Sequence, residues 1–230
     1  MPRLFTTYDE AWAHFVAVDE MESVGDQYPE AEAHLLTWYI PVPAALVPGV
    51  LALQRELVAL DGMVPIPPER LHVSVAPATV TEQPEPLLEK ELLTHAERAW
   101  AEIEPFDVEL ADVNGFPTAV VVEVHGDGPG RLLDRLLQSG YWRGLPWRAP
   151  NRDIFLPHLT VAISTQRRPA DEVRTVVEAH RHERFAALRV GAVELCRIPV
   201  ARSRLLQPWE VVGRVVFGGA AEGTAPAGQD

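Results

Sequence analysis

The sequence predicts an α/β (α+β) protein in which two similar lobes face each other across a central groove. Two observations lead to this prediction. Segments typical of strands and of helices alternate along the chain, and the order strand, helix, strand occurs twice. The second strand of each repeat carries the pattern His, apolar, hydroxyl, apolar, Ala, which reads RLHVSVAP in the first half and LPHLTVAI in the second. We interpret this recurrence as an internal duplication around a pseudo-twofold axis.

Hydrophobic periodicity predicts the elements of the first half. Apolar residues recur at helical spacing among acidic ones over 8–21, which indicates an amphipathic helix ahead of the first repeat. The segments that follow are predicted as strand, helix, strand, helix and strand, over 34–42, 44–60, 71–76, 86–103 and 106–113.

The second half partly repeats this order. It begins with a strand over 119–125 and a short helix over 130–138, and a loop then leads to the second histidine motif. The remaining segments are predicted as strand, helix, strand and strand, over 155–164, 170–181, 185–198 and 209–217. Both lobes are expected within 31–218, after an N-terminal helical extension over 1–30. The small, polar residues of 219–230 predict a disordered tail.

Composition limits the classes of protein that fit. The net charge is −13 and Lys90 is the only lysine, which argues against a protein that binds long nucleic acid through a broad basic surface. A short RNA end or a small nucleotide remains possible, because a few arginines can hold one phosphate. Cys196 is the only cysteine, so an intrachain disulfide and a cysteine-based metal site are excluded. With no long apolar segment, we expect a cytoplasmic monomer that does not bind membranes.

The two motifs divide their residues between the faces of a strand. Because side chains alternate along a strand, His72 and Ser74 share one face, and His158 and Thr160 share the corresponding face of the second motif. The intervening apolar residues point the other way and are expected to pack on helices. The imidazoles and hydroxyls are therefore predicted to line a common groove.

Such a groove suits the cleavage of a phosphodiester. Two opposed imidazoles can take a proton from attacking water and give one to the departing ribose oxygen near neutral pH, without a metal or another cofactor. The charge that develops on the phosphate oxygens needs hydrogen-bond donors, which Ser74 and Thr160 supply. We therefore predict His72 and His158 as the catalytic residues.

Other residues near the motifs are weaker candidates for substrate binding. Arg70 has the same strand parity as His72, and Arg148 and Arg152 lie in the loop before the second motif. Three aromatic residues in or beside this loop are candidates for stacking on a base, although core or lid packing is an alternative for each of them: Trp142, Trp147 and Phe155.

At these residues the sequence resembles the two-histidine (2H) phosphoesterase superfamily, which includes 2′-5′ RNA ligase-like and cyclic nucleotide phosphodiesterase proteins. The resemblance is carried by HVSV, beginning at His72, and HLTV, beginning at His158, and it extends over about 35–217. It implies a bilobal fold with antiparallel-rich sheets around a central groove and helices outside. It also implies metal-independent action on 2′,3′-cyclic or 2′-5′ phosphodiester bonds, with both histidines catalytic and both hydroxyls on phosphate.

The residues leave several interpretations open. The first is a phosphodiesterase that opens a 2′,3′-cyclic phosphate at an RNA terminus or on a small nucleotide, and the same acid and base pair could instead join RNA ends through a 2′-5′ bond. The second is a module that binds a nucleotide or an RNA end without significant turnover. A third, with purely structural motifs, predicts that the two strands do not face a common cleft. The sequence does not assign which histidine is the acid and which the base.

Overall fold

The computed structural model describes residues 5–28, 30–143, 145, 150–202 and 206–218. The helices are α1 (Tyr8–Ala17), α2 (Pro48–Leu57), α3 (Pro86–Ala99), α4 (Gly128–Ser139) and α5 (Asp171–Ala179). The strands are β1 (Glu20–Met21), β2 (Ala33–Pro41), β3 (Met63–Pro65), β4 (His72–Thr81), β5 (Phe106–Phe116), β6 (Ala119–His125), β7 (His158–Ser164), β8 (Arg168–Pro169), β9 (Arg184–Val190), β10 (Ala192–Val200) and β11 (Glu210–Val216). The predicted tail lies outside the described residues.

Nine of these strands form one sheet in the order β11-β10-β2-β4-β7-β6-β5-β9, with β3 also paired to β7. All of the strand pairs are antiparallel, which confirms the mixed α+β class and the antiparallel-rich sheet. The strands of both predicted lobes therefore belong to one continuous sheet. The equivalence of its two halves stays a prediction.

The two halves of the sheet meet between β4 and β7. Val73 of β4 pairs with Leu159 of β7, and β3 pairs with the later part of β7, from Ala162 to Ser164. Each motif histidine is the first residue of its strand. Because β4 and β7 run in opposite directions from this meeting point, they overlap only where they begin.

Local signals explain several helix ends. The side chain of Thr7 accepts a hydrogen bond from the backbone N–H of Glu10 and so caps α1. Proline occupies the first turn of α2, α3 and α4, where its missing N–H costs nothing. α4 ends at Gly140, whose φ of 73° lies in the left-handed region. None of the helices in the described part of the chain has the length and apolar character needed to span a bilayer.

Several predicted bounds differ from the structure by a few residues, and two predicted elements differ more strongly. The helix expected over 8–21 ends at Ala17, since the backbone is extended at Val18 and the chain continues into β1. The strand expected over 185–198 is two strands, β9 and β10, separated by Gly191. Both β9 and β10 are rich in apolar residues, so periodicity alone did not show where the chain turns.

Helix α1 packs on β5 through a close contact between Phe15 and Gly115. The ring of Phe15 lies so close to Gly115 that a Cβ atom at residue 115 would be 2.2 Å from it. Phe15 is 1% exposed and belongs to the main hydrophobic core. The N-terminal helix is therefore an integral part of the packed structure.

Candidate active site

The alternation of side chains along β4 and β7 separates an apolar face from a polar one. Val73 and Val75 on β4, and Leu159 and Val161 on β7, are at most 1% exposed and pack in the core. The histidines and hydroxyls between them are half-buried instead. They are His72, Ser74, His158 and Thr160, and all four line one cavity of about 510 Å³. The structure thus brings the four motif residues together.

The register between the strands explains this convergence. In an antiparallel pair, the residue after one partner lies opposite the residue before the other. Continued by one residue on either side of the Val73–Leu159 pair, the register sets Ser74 across from His158 and His72 across from Thr160. This register sets the four side chains on the same face of the sheet, around the point where β4 and β7 meet.

Both imidazoles make the same hydrogen bond to the chain that precedes them. Nδ1 of His72 lies 2.7 Å from the carbonyl oxygen of Arg70, and Nδ1 of His158 lies 2.7 Å from that of Leu156. A carbonyl oxygen can only accept, so Nδ1 carries the proton and donates it. In the neutral ring, Nε2 is then the nitrogen that can take up a proton.

Burial controls the charge of both histidines. Desolvation lowers the pKa of His72 from 6.5 to about 4; the hydrogen bond to Arg70 opposes this shift, and the proximity of His158 adds to it. Burial also lowers the pKa of His158, against the hydrogen bond to Leu156. In the free protein at neutral pH, both rings are therefore uncharged.

Aromatic side chains surround each histidine. The ring of Tyr39 lies over that of His72 with their centroids 3.7 Å apart, and Trp209 approaches His72 edge-on at 5.1 Å. Phe116 makes an edge-on contact with His158 at 4.8 Å. These three aromatic residues were not predicted from the sequence. They come from strands β2 and β5 and from the loop before β11, and local sequence patterns do not show which strands are neighbours in the sheet.

Tyr39 also connects to a motif hydroxyl. It pairs directly with Ser74 across strands β2 and β4, and the two side chains are hydrogen-bonded. Burial raises the pKa of the Tyr39 phenol far above its usual range, so it stays protonated. Tyr39 therefore contacts both His72 and Ser74.

The two predicted arginines lie beside the cavity rather than in it. Nη1 of Arg70 donates to the carbonyl oxygen of Leu206 at 2.7 Å, and its guanidinium lies 5.7 Å from the centre of the Trp209 ring. Nε of Arg152 pairs with Asp134 on α4 at 2.8 Å. Neither arginine is among the described residues that line the cavity. Their proposed contact with phosphate stays a prediction.

Two of the aromatic residues that were predicted as base-stacking candidates, Trp142 and Phe155, are not among the described residues that line the cavity. Trp142 is buried, and its indole N–H donates to the carbonyl oxygen of Pro77 at 3.1 Å, as expected for core packing. Phe155 lies below the guanidinium of Arg152. Trp147 and Arg148 lie outside the described residues.

One group of side chains away from the cavity has the composition of a metal site. Ligand atoms of Asp112, Glu123 and His125 lie within 4.8 Å of one another. Glu123 is also bound by Arg181 at 3.0 Å and by Asn114 at 2.8 Å. Among the described residues these are the ones that could hold a metal ion, and Arg181 already balances the Glu123 carboxylate.

Comparisons with known proteins agree with this arrangement. The family model of the 2′-5′ RNA ligase superfamily matches residues 42–200. The solved structure of TT0787 of Thermus thermophilus has a TM-score of 0.58 at 20% identity, covering 80% of this chain and 97% of that one. E. coli LigT complexed with 3′-AMP has a TM-score of 0.56 at 18% identity, covering 81% and 99%. These two likenesses show a shared fold. A comparison with the curated proteins found no match.

The family match contains both histidine motifs. Residues 42–200 include β4 and β7 with both histidines and both hydroxyls, and they extend to the end of β10. The match covers more than half of the 230 residues. The superfamily supports a phosphodiesterase type of activity in general. The chain therefore belongs to the 2′-5′ RNA ligase superfamily, the two-histidine phosphoesterases that its paired motifs resemble.

Proposed function

We propose that the protein is a metal-independent phosphodiesterase that opens 2′,3′-cyclic phosphates, on small nucleotides or at RNA termini. One observation carries this proposal. Two imidazoles with the same Nδ1 hydrogen bond begin the two central strands and line one cavity with two hydroxyls. The Nε2 atom of each imidazole can gain or lose a proton, as general acid–base catalysis requires.

The proposed reaction adds one water molecule to the cyclic diester. One histidine, neutral at Nε2, takes a proton from water as the oxygen forms a bond to phosphorus. The bond from phosphorus to one ribose oxygen then breaks, and the second histidine, protonated at Nε2, gives its proton to that oxygen. The product is a phosphate monoester, and a proton exchanged with solvent restores the starting charges.

The hydroxyls of Ser74 and Thr160 are assigned to the non-bridging phosphate oxygens. Donors already in place are most valuable where negative charge grows in the transition state, because they need not reorganise during the reaction. Tyr39 supports this role on one side, since its hydroxyl is hydrogen-bonded to Ser74. The same groups would serve the joining of ends, in which a ribose 5′-hydroxyl replaces water as the group that bonds to phosphorus, and the 3′ oxygen leaves with a proton, so that a 2′-5′ bond remains.

A nucleotide ligand is supported by the size of the cavity and by a relative. A volume of about 510 Å³ lies in the usual range for small-molecule sites. Structures of E. coli LigT have been solved with 3′-AMP, with NADP+ and with ATP. We therefore propose a small nucleotide or a short RNA end as the substrate, and no long nucleic acid.

The proposal is tested by turnover in the presence of a chelator. The substrates are a panel of 2′,3′-cyclic nucleotides and a short RNA that ends in a cyclic phosphate, with His72→Ala and His158→Ala as variants. Each substitution should reduce the rate at least about a hundredfold, the scale of general acid–base catalysis. His182→Ala is the matched control, because this histidine is 85% exposed and lies outside the cavity. Inactivity of the wild type across the panel, or full activity of both variants, would overturn the proposal.

A further inference from the structure

The N-terminal segment, residues 5–28, reaches the cavity although it lies outside the part of the chain that matches the family. Four of its side chains line the same cavity as the histidines. They are Phe5, Val24, Gln27 and Tyr28. One wall of the candidate active site is thus built from a segment that the family match does not include.

This segment is fixed to the strand that begins with His158. The hydroxyl of Tyr8 donates to the carbonyl oxygen of Pro157, the residue directly before His158, and accepts from the backbone N–H of Val124 at 3.2 Å. The amide of Asn114 donates to the carbonyl oxygen of Tyr8 at 3.0 Å. These bonds are half-buried and connect α1 to β5, to β6 and to the residue before β7, at the edge of the site.

A second set of bonds holds the later part of the segment. The backbone N–H of Glu22 donates to the carbonyl oxygen of Pro117 at 2.8 Å, and the hydroxyl of Ser23 donates to that of Thr165 at 2.9 Å. Pro117 itself lines the cavity. The wall is therefore in place before any ligand binds, which reduces the entropy that binding would cost.

The chemistry of this wall suits a nucleobase. Phe5 lies 6.1 Å from Phe116, and Phe116 lies 4.8 Å from His158, so aromatic rings continue from the catalytic imidazole to the N-terminal segment. Aromatic rings accept any base by stacking, whereas a carboxamide can both donate to and accept from the edge of a base. Gln27 provides that carboxamide at the rim of the cavity. Its amide nitrogen is 3.5 Å from the Thr118 hydroxyl, a long distance for a hydrogen bond, so the side chain is weakly held.

We infer that the N-terminal segment is the base-recognition wall of the active site, in which Phe5 and Phe116 contact the face of the nucleobase and Gln27 contacts its edge. The inference rests on the proposed function and deepens it. It makes nucleoside 2′,3′-cyclic phosphates the substrate class, in preference to cyclic phosphodiesters without a base. It also places the base on the His158 side of the cavity, because Phe116 contacts His158.

The test compares a nucleoside 2′,3′-cyclic phosphate with ribose 2′,3′-cyclic phosphate, which has the same reacting group and no base. The wild type should prefer the nucleotide, measured as the ratio of the two kcat/KM values. Phe5→Leu keeps an apolar side chain and removes the ring, and it should lower this ratio about tenfold, mainly through KM for the nucleotide. Gln27→Ala should change the relative kcat/KM among nucleotides that carry different bases by several-fold. Leu87→Ala, at a residue that is 81% exposed on α3, is the matched control and should leave both ratios unchanged.

The outcomes separate this inference from the proposed function. If the wild type opens both compounds equally well, or if Phe5→Leu keeps the wild-type ratio, the inference is overturned and the phosphodiesterase proposal stands. If neither compound is opened, the phosphodiesterase proposal fails, and calorimetric binding of 3′-AMP still decides the inference. Weaker binding of 3′-AMP to Phe5→Leu, with binding of inorganic phosphate unaltered, would support the wall, whereas equal binding of 3′-AMP to both proteins would overturn it.

Discussion

The ring of Tyr39 covers the ring of His72, with their centroids 3.7 Å apart and their planes inclined by 32°. This contact, together with Trp209, removes water from one side of the imidazole. Water stabilises the charged form of a histidine, so its removal favours the neutral form. The aromatic contacts therefore affect both the pH dependence of activity and the stability of the fold.

The pH profile of kcat/KM should have its maximum below pH 6.5. General acid–base catalysis requires one neutral and one protonated histidine, and burial lowers the pKa of both, that of His72 to about 4. Above pH 6.5 His72 and His158 are mainly neutral in the free protein, so kcat/KM should fall as the pH rises further. Initial rates with a 2′,3′-cyclic nucleotide between pH about 4 and about 9 would check this. A maximum of kcat/KM near pH 8 would contradict the proposal that one of the two histidines acts as the general acid.

Acid should destabilise the fold through His72. Its pKa is about 4 in the folded protein and 6.5 when unperturbed, so between these pH values the unfolded chain binds a proton that the folded chain lacks. The stability that neutral His72 contributes is fully present above pH 6.5 and is lost as the pH falls towards 4. This loss amounts to roughly 2 to 3 kcal/mol in the free energy of unfolding. Urea denaturation of the wild type and of His72→Gln across this range should show a shallower pH dependence for the variant. If the free energies of unfolding of wild type and variant depend on pH in the same way, the pKa of His72 is not lowered in the folded protein.

Loss of either motif hydroxyl should reduce kcat without moving the pH profile. Ser74→Ala and Thr160→Val each remove one donor to the phosphate and leave both histidines in place, and we expect kcat to fall roughly ten- to a hundredfold. Thr160→Ser retains the hydroxyl and is the control. A Thr160→Val variant with the wild-type kcat would contradict the assignment, because valine keeps the methyl group of Thr160 and lacks only its hydroxyl.

A methyl group at residue 115 should weaken the docking of α1. Gly115→Ala places a Cβ atom 2.2 Å from the Phe15 ring, and overpacking of this kind costs about 1 to 3 kcal/mol in the free energy of unfolding. In a Phe15→Ala background the same change should cost much less, because the clashing ring is absent. Chemical denaturation of the two single variants and the double variant measures this coupling. Additive losses would show that the two residues do not interact.

Part of the site followed directly from the sequence. Strand alternation was enough to place His72 with Ser74 and His158 with Thr160, because a period of two determines which residues share a face. The same alternation assigns the apolar residues between them to the core, without knowledge of the fold. Local pattern therefore predicted the four motif residues that line the cavity.

Other parts depended on contacts between distant segments. Tyr39 lies in the first predicted strand, but its place beside Ser74 requires the register between β2 and β4. Phe5 reaches the cavity from the N-terminal segment, whose hydrogen bonds to β5, β6 and the residue before β7 join parts of the chain that are distant in sequence. Arg152 was placed near the second motif by its position in the loop, and the structure pairs it with Asp134 on α4. Such pairings are not encoded in local periodicity.

The single pair of Val73 and Leu159 joins β4 to β7, and both side chains are completely buried. With so short a ladder of hydrogen bonds at this point, the separation of the two strands depends on the volume of the side chains beneath them. The distance between His72 and His158, the proposed proton donor and acceptor, is thus set from within the core. Substitutions that change that volume, on the face of the sheet opposite the cavity, would alter the distance between the two imidazoles before they unfolded the protein.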